Sequence, residues 1–222
     1  MEISVQGTHE QTVRPEIARL HAGAWAEAGN KDEVLRRATE VVQQLSAELN
    51  RLHQSGAVAE VVVRPISTSS WRPVNRGKQQ PPIHRAAAGM QADFTDFAAL
   101  ADLAARFGAV EGLELNRVEW RLTDDTRRTL EEACLTKAVG QAKERALVMA
   151  RAAGESEVVF VQLADPGLMS DEPTRGGFAM PAPMAGMMRS AKMADELAGI
   201  ELQPEDLTVS GTVQARFVTP QG

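Results

Sequence analysis

The chain has 222 residues, of which 43% are hydrophobic, 24% charged and only 4% aromatic, with no tyrosine. Its net charge of -6 and the absence of a long basic run argue against nucleic-acid binding, which depends on Lys and Arg side chains that neutralise phosphates. The single cysteine, Cys134, excludes an intrachain disulfide and any two-cysteine metal motif.

The sequence shows neither a membrane span nor a secretion signal. No apolar run reaches the roughly 18 to 20 residues that a spanning helix needs. Met1 to Val5 enters a strand-like pattern at once, without the basic start and apolar block of a signal peptide. We therefore expect a cytoplasmic protein, or a periplasmic or secreted one if a signal peptide has been removed.

The first half of the chain predicts strands around one helix. Ile3 to His9 and Ala18 to Ala26 have strand patterns, and Gly7 with Pro15 suggests that they form a hairpin. Asn30 is a suitable N-cap for a helix that ends near Ser55-Gly56, with Glu33 completing a capping box. Val58 to Ser70 predicts another strand. The helix has one apolar face: Val34, Leu35, Ala38, Val41, Val42, Leu45, Leu49 and Leu52.

A polar, proline-containing linker at residues 73–82 divides the chain into possible halves, 1–72 and 83–222. After it, Ile83 to Thr95 predicts a strand, and Asp96 is placed to cap a short helix. Leu113 to Leu122 predicts the next strand. The order strand, helix, strand therefore occurs on both sides of the linker. The apolar residues of the short helix are Phe97, Leu100, Leu103 and Phe107.

The longest predicted helix begins at Thr123 or Asp124 and runs to about Ala153. Two further strands are predicted after it, at Val158 to Leu163 and at Leu207 to Phe217. The whole pattern predicts an α+β fold, with mixed or largely antiparallel sheets covered by helices on one face and an oligomer interface available on the other. The helix has an alanine-rich apolar band that favours close packing: Cys134, Leu135, Ala138, Val139, Ala142, Ala146, Met149, Ala150 and Ala153.

We predict an extended loop at residues 165–204, a segment rich in methionine and proline that includes "GGFAMPAPMAGMM" at 176–188. Methionine is an adaptable apolar contact, so one interpretation is an arm that binds a neighbouring subunit or an unidentified protein partner. A second interpretation is a copper or redox-responsive binding protein that uses this loop and Cys134, because thioethers select Cu(I). A third is a disordered loop without a role, since loops of this length are either functional or disordered. The interaction candidates are Met180, Met184, Met187, Met188 and Met193, and the first four are the metal candidates.

No motif identifies an active site. The four histidines form no pair at metal-ligand spacing, and no serine stands in a Gly-x-Ser-x-Gly elbow. Cys134 falls on the apolar band of the long helix, where cysteine usually acts as a small apolar residue, although Lys137 one turn away would favour a reactive thiolate. We predict no enzyme and no cofactor. An enzyme would require a pocket in which His21 or His84 meets a carboxylate.

Several segments occur in an order typical of one known family. They are "ISVQGTHEQTVRPEIARL" from Ile3, the helix end Leu52 to Gly56, the Arg85-Ala86 strand, and "VEWRLTDD" followed by "KAVGQAKERALVMARAAG". Together they resemble the SIMPL-domain family, bacterial proteins described as periplasmic or outer-membrane-associated immunogens and linked to oxidative-stress defence. Ile83-His84 replaces the family's Gly-Tyr. The resemblance implies a single domain over residues 1–222 that assembles into ring-like or larger homo-oligomers, and it supplies no catalytic residues.

Overall fold

The computed structural model describes residues 1–169 and 203–220. These residues form three helices and ten strands, which confirms the predicted α+β class. In chain order the elements are β1 (Glu2–Val13), β2 (Ile17–Ala28), α1 (Lys31–Gln54), β3 (Val58–Val63), β4 (Ser67–Trp71), β5 (Val74–Asn75), β6 (Lys78–Gln79), β7 (Ile83–Phe94), α2 (Phe97–Phe107), β8 (Leu113–Arg121), α3 (Asp124–Ala152), β9 (Val159–Ala164) and β10 (Leu207–Val218).

The elements fall into two compact units. Unit 1 contains β1, α3, β9 and β10, from residues 1–13, 123–169 and 206–220, and unit 2 contains the elements from β2 to β8. These boundaries differ from the halves 1–72 and 83–222, because β1 pairs with the distant strand β10. The predicted hairpin of the first two strands is wrong, since β2 pairs with β7 and β8.

Unit 2 is a split β-α-β arrangement. Its main sheet has the order β3-β7-β2-β8, with β4 also paired to β7, and all of these pairings are antiparallel. Consequently β2 runs parallel to β3, and β7 runs parallel to β8. The helix α1 connects β2 to β3, and α2 connects β7 to β8. The predicted order strand, helix, strand therefore corresponds to two βαβ units, arranged as in ferredoxin-like folds.

Two local details of unit 2 differ from the predictions. The predicted strand from Val58 to Ser70 is divided at residues 64–66 into β3 and β4, and Pro65 lacks the N–H that a ladder requires. The linker at 73–82 contains a small hairpin, β5 and β6. Arg76 and Gly77 at its turn both have positive φ, 49° and 77°, as a type I′ turn requires.

Alanines make up most of the buried positions that the strands contribute to the core of unit 2. Asn30 Oδ1 accepts from the amide of Asp32 at 2.8 Å and so caps α1, while the Glu33 carboxylate pairs with Arg37. Every second residue of β2 and β7 is buried toward the helices. These residues are Ala18, Leu20, Ala22, Ala24 and Ala26 in β2, and Ala86, Ala88, Met90, Ala92 and Phe94 in β7.

Glu48 joins α1 to α2 and makes stability depend on acid pH. Its carboxylate accepts from Arg51 at 2.7 and 3.0 Å and pairs with Arg106 of α2. The hydrogen bond from Arg51, followed by that from Arg106, lowers the pKa of Glu48 from 4.5 to about 2. Its contribution to stability is therefore complete above pH 4.5 and is lost as the pH falls toward 2.

We expect Glu48→Gln to remove this acid-dependent contribution. Because both arginines are more than half exposed, the loss in unfolding free energy at neutral pH should be only on the order of 1 kcal/mol. Urea unfolding followed at neutral pH and at about pH 3 should show a smaller pH difference in the variant than in the wild type. Glu40→Gln, in an exposed pair with Arg36 on the same helix, is the control. An unchanged pH dependence of stability in Glu48→Gln would show that Glu48 does not cause this acid-dependent contribution.

Unit 1 is a three-stranded antiparallel sheet, β1-β10-β9, on which α3 packs against β1 and β10. The helix contacts the sheet through every fourth residue: Cys134, Ala138, Ala142, Ala146 and Ala150 are all buried. The predicted apolar band was too wide, because Leu135 and Met149 are 39% and 47% exposed and Ala153 is exposed. A stripe of alanines has no long side chains to hold the backbones apart, so α3 lies directly on the strands.

Candidate functional site

The methionines predicted to form an interaction arm or a copper site lie outside the described residues. They are Met180, Met184, Met187, Met188 and Met193. The arm and the Cu(I) interpretation therefore both stay predictions.

The thiol of Cys134 lies in the interior of unit 1. Cys134 is fully buried, and its Sγ lies 3.5 Å from the carbonyl oxygen of Val209, to which it donates. A thiol that reacts with oxidants needs solvent access, which this position does not provide. Within residues 1–169 and 203–220, no three side chains of the types His, Cys, Asp or Glu come together in a way that would hold a metal ion.

A polar cluster occupies the face of the unit 2 sheet that the helices leave open. Its centre is Asp93 of β7, which is only 6% exposed. Arg19 of β2 forms a bidentate pair with it, from Nε to Oδ1 at 2.6 Å and from Nη2 to Oδ2 at 2.7 Å. Arg121 Nη1 lies 3.8 Å from Oδ2. The sequence did not reveal this cluster, although the alternation of β2 and β7 already places Arg19 and Asp93 on the face of the sheet opposite to that of the buried alanines.

His21 lies in the same cluster and meets a carboxylate. Its Nε2 lies 3.3 Å from Glu119 Oε2, and its Nδ1 lies 3.2 Å from Gln91 Nε2. An enzyme would require a pocket in which the histidine meets a carboxylate. His21 does meet a carboxylate, but it lies on the open face of a sheet and lines none of the cavities described below. His84 Nδ1 lies 2.6 Å from Ser70 Oγ instead. These contacts describe a hydrogen-bonded surface rather than an enclosed reaction site.

A shallow groove lies beside this cluster, over a pair of glycines. Gly23 of β2 stands directly opposite Gly89 of β7, so these two positions add no side chains of their own to the sheet surface. Trp25 borders the groove, with its Nε1 donating to Glu114 at 2.9 Å and the Arg85 guanidinium 5.5 Å from its ring. The cavity measures about 310 Å³, at the lower end for small-molecule sites.

The strand β9 is the most exposed apolar element of unit 1. Val159, Phe160, Val161 and Leu163 are 52%, 40%, 56% and 51% exposed. One side of β9 pairs with β10, and the other has no strand partner among the described residues. We call this the β9 edge. The sequence predicts the strand but not its exposure, because a short apolar run has the same pattern as a strand buried on both faces.

A groove lies at the opposite edge of the same sheet, between β1 and α3. Its volume is about 850 Å³. Two apolar side chains of α3, Val148 and Met149, line it and are 65% and 47% exposed. We call this the β1 groove. Its other lining residues are Ser4, Val5, Gln6, Gly7 and Thr8 of β1 and Gln141, Glu144 and Arg145 of α3.

The helices that the structure describes include none that is both long and apolar enough to cross a membrane.

Comparison with known proteins identifies a family over nearly the whole chain: the family described as SIMPL, protein of unknown function (DUF541), matches residues 3–217. No curated protein matches the chain. The match confirms the resemblance found in the sequence, and the family has no known enzymatic activity that would assign a role to His21 or His84.

Proposed function

We propose that this chain, which belongs to the SIMPL family, is a non-enzymatic protein that assembles with copies of itself through the β9 edge. The observation that carries the proposal is the exposure of Val159, Phe160, Val161 and Leu163 on a strand with an unpaired side. Proteins usually protect such edges with charges, prolines or a covering element, because an open edge pairs with other chains.

The composition of β9 fits an interface better than a solvated surface. The strand VFVQLA contains no charged residue and no proline. Charged residues stand only outside it, at Glu157 before and Asp165 after. Contiguous exposed apolar surface of this kind marks sites of protein association. The methionines of the predicted arm follow β9 in the chain, and we propose that they add to the same assembly.

The substitution Val161→Lys tests the proposal. We expect the wild type to elute in size-exclusion chromatography with light scattering at a multiple of 24.0 kDa, and Val161→Lys to elute as a single subunit. A lysine on an edge strand opposes pairing with another chain, while its exposed position should leave the fold intact.

Val74→Lys is the matched control for this experiment. Val74 is 66% exposed on the small β5 strand of unit 2, so the same change of residue there should leave the oligomer unaffected. A monomeric wild type, or a Val161→Lys variant that assembles like the wild type, would overturn the proposal.

A further inference from the structure

We infer that the β9 edge of one copy docks in the β1 groove of the next copy, so that the sheet of unit 1 continues from subunit to subunit. This inference rests on the proposed self-assembly and names its partner surface. The two surfaces are different, and each copy has both, so the contact is head-to-tail and repeats.

Among the described residues, each edge of the sheet lacks what the other edge has: β9 has no helix over it, and α3 extends beyond β1 with no strand below it. Phe160 and Leu163 pair in register with Phe217 and Ala215, whose side chains are buried beneath α3. Phe160 and Leu163 therefore lie on the α3 face of the sheet, yet they remain 40% and 51% exposed because α3 packs on the other two strands. At the β1 edge the situation is reversed, because α3 presents apolar surface there with no strand below it.

Val148 and Met149 provide that surface. Both are exposed on α3 and line the groove beside Ser4 to Thr8 of β1. A strand added to the free side of β1 would place its α3-face residues against them. Phe160 and Leu163 of a second copy would thus gain the helix cover that their own subunit does not give.

The main chain supports the same arrangement. β1 has 12 residues and β9 has six, and the outer side of each strand has no strand partner within the described residues. β1 and β9 both run antiparallel to β10 and are therefore parallel to each other. If the next copy keeps its α3 on the same face of the sheet, its β1 has the same direction, and the new pairing is parallel. Such strand addition satisfies the backbone groups of both edges.

The charges around β9 favour docking in the groove over pairing of two β9 strands. An antiparallel β9 pair centred on Val161 would place Glu157 opposite Asp165 of the other copy, and like charges in facing positions are destabilising. On α3, Arg145 and Glu144 are both exposed and both line the groove, so the groove is not acidic overall. Docking there involves a single β9 strand and therefore avoids placing Glu157 opposite Asp165.

Mixing two variants, each with one of the two surfaces disabled, tests whether the β9 edge docks in the β1 groove. Val161→Lys disables the β9 edge but keeps the groove, and Met149→Glu disables the groove but keeps the edge. We expect each variant alone to be monomeric, and an equimolar mixture to form a complex of two subunits, twice 24.0 kDa, because one intact edge meets one intact groove. Leu135→Glu is the control, since Leu135 is exposed on the same helix and does not line the groove.

The possible results distinguish a failure of groove docking from a failure of self-assembly. A monomeric wild type overturns self-assembly itself. A wild-type oligomer combined with a Met149→Glu variant that still assembles, or with a mixture that contains only monomers, overturns groove docking and leaves self-assembly intact. Circular dichroism establishes that each variant is folded, and Val148→Glu, at a 65% exposed position, replaces Met149→Glu if that variant is unfolded.

Discussion

Gly7→Ala should destabilise unit 1 by about 3 kcal/mol or more, although it adds a single methyl group. A Cβ on Gly7 would overlap the carbonyl oxygen of Ala138 and lie 2.8 Å from the amide nitrogen of Ala142. Both atoms belong to the backbone of α3, so no side-chain rotation can make room. The helix must move away from β1, and the contacts of the whole buried alanine stripe weaken together.

Gly140→Ala is the matched control, with an expected effect of opposite sign. Gly140 lies on α3 itself, and a Cβ there would meet no atom within 4 Å. Replacing a glycine by alanine inside a helix usually stabilises it by about 0.5 to 1 kcal/mol. The same substitution two residues after Ala138 should therefore raise stability, while Gly7→Ala lowers it.

Two optical signals distinguish the units in this experiment. All three tryptophans, Trp25, Trp71 and Trp120, lie in unit 2, whereas far-UV circular dichroism also reports the long helix α3 of unit 1. In urea unfolding, Gly7→Ala should shift the dichroism transition to lower urea more than the fluorescence transition. A Gly7→Ala protein with the unfolding midpoint of the wild type would show that α3 does not lie directly on β1.

Local signals in the sequence were sufficient to predict most elements of the fold. Asn30 and Asp96 cap α1 and α2 as predicted, because a capping side chain acts on amides only two or three residues away. The partner of β1 was not predictable in this way, since β2 and β10 have equally regular alternation. The decisive fit is between Gly7 and the alanines of α3, more than 130 positions later in the chain.

The candidate site was less predictable than the fold. The run from Val159 to Leu163 has the composition of a buried strand, and only the position of α3 over β1 and β10 shows that it is exposed. The pairing of Arg19 with Asp93 likewise depends on the β2-β7 register, which hydrophobic periodicity alone does not fix. Both surfaces are products of strand order, and strand order follows from contacts between distant parts of the chain.

Asp93→Ala is the second substitution with a large expected effect, a loss of about 3 kcal/mol in unit 2. Asp93 is buried, and its two oxygens accept both hydrogen bonds of the Arg19 guanidinium. Among the described residues, removing the carboxylate leaves Arg19 with only the more distant Glu60, at 3.8 Å, and Arg121 with only Glu119, at 3.9 Å. Both arginine side chains are about one-quarter exposed, so solvent compensates this loss only in part. Tryptophan fluorescence during urea unfolding measures this change directly, because every tryptophan lies in this unit.

The combined replacement Arg19→Met and Asp93→Leu separates the cost of removing one partner from the net contribution of the pair to stability. Apolar substitution of both partners of a buried pair is often close to neutral, so the double variant should recover most of the stability lost in Asp93→Ala. Glu27→Ala breaks the exposed pair with Arg85 and should cost less than about 1 kcal/mol. A double variant as unstable as Asp93→Ala would instead show that the pair makes a net contribution to stability. In that case these charges, rather than apolar packing, would stabilise the open face of the sheet.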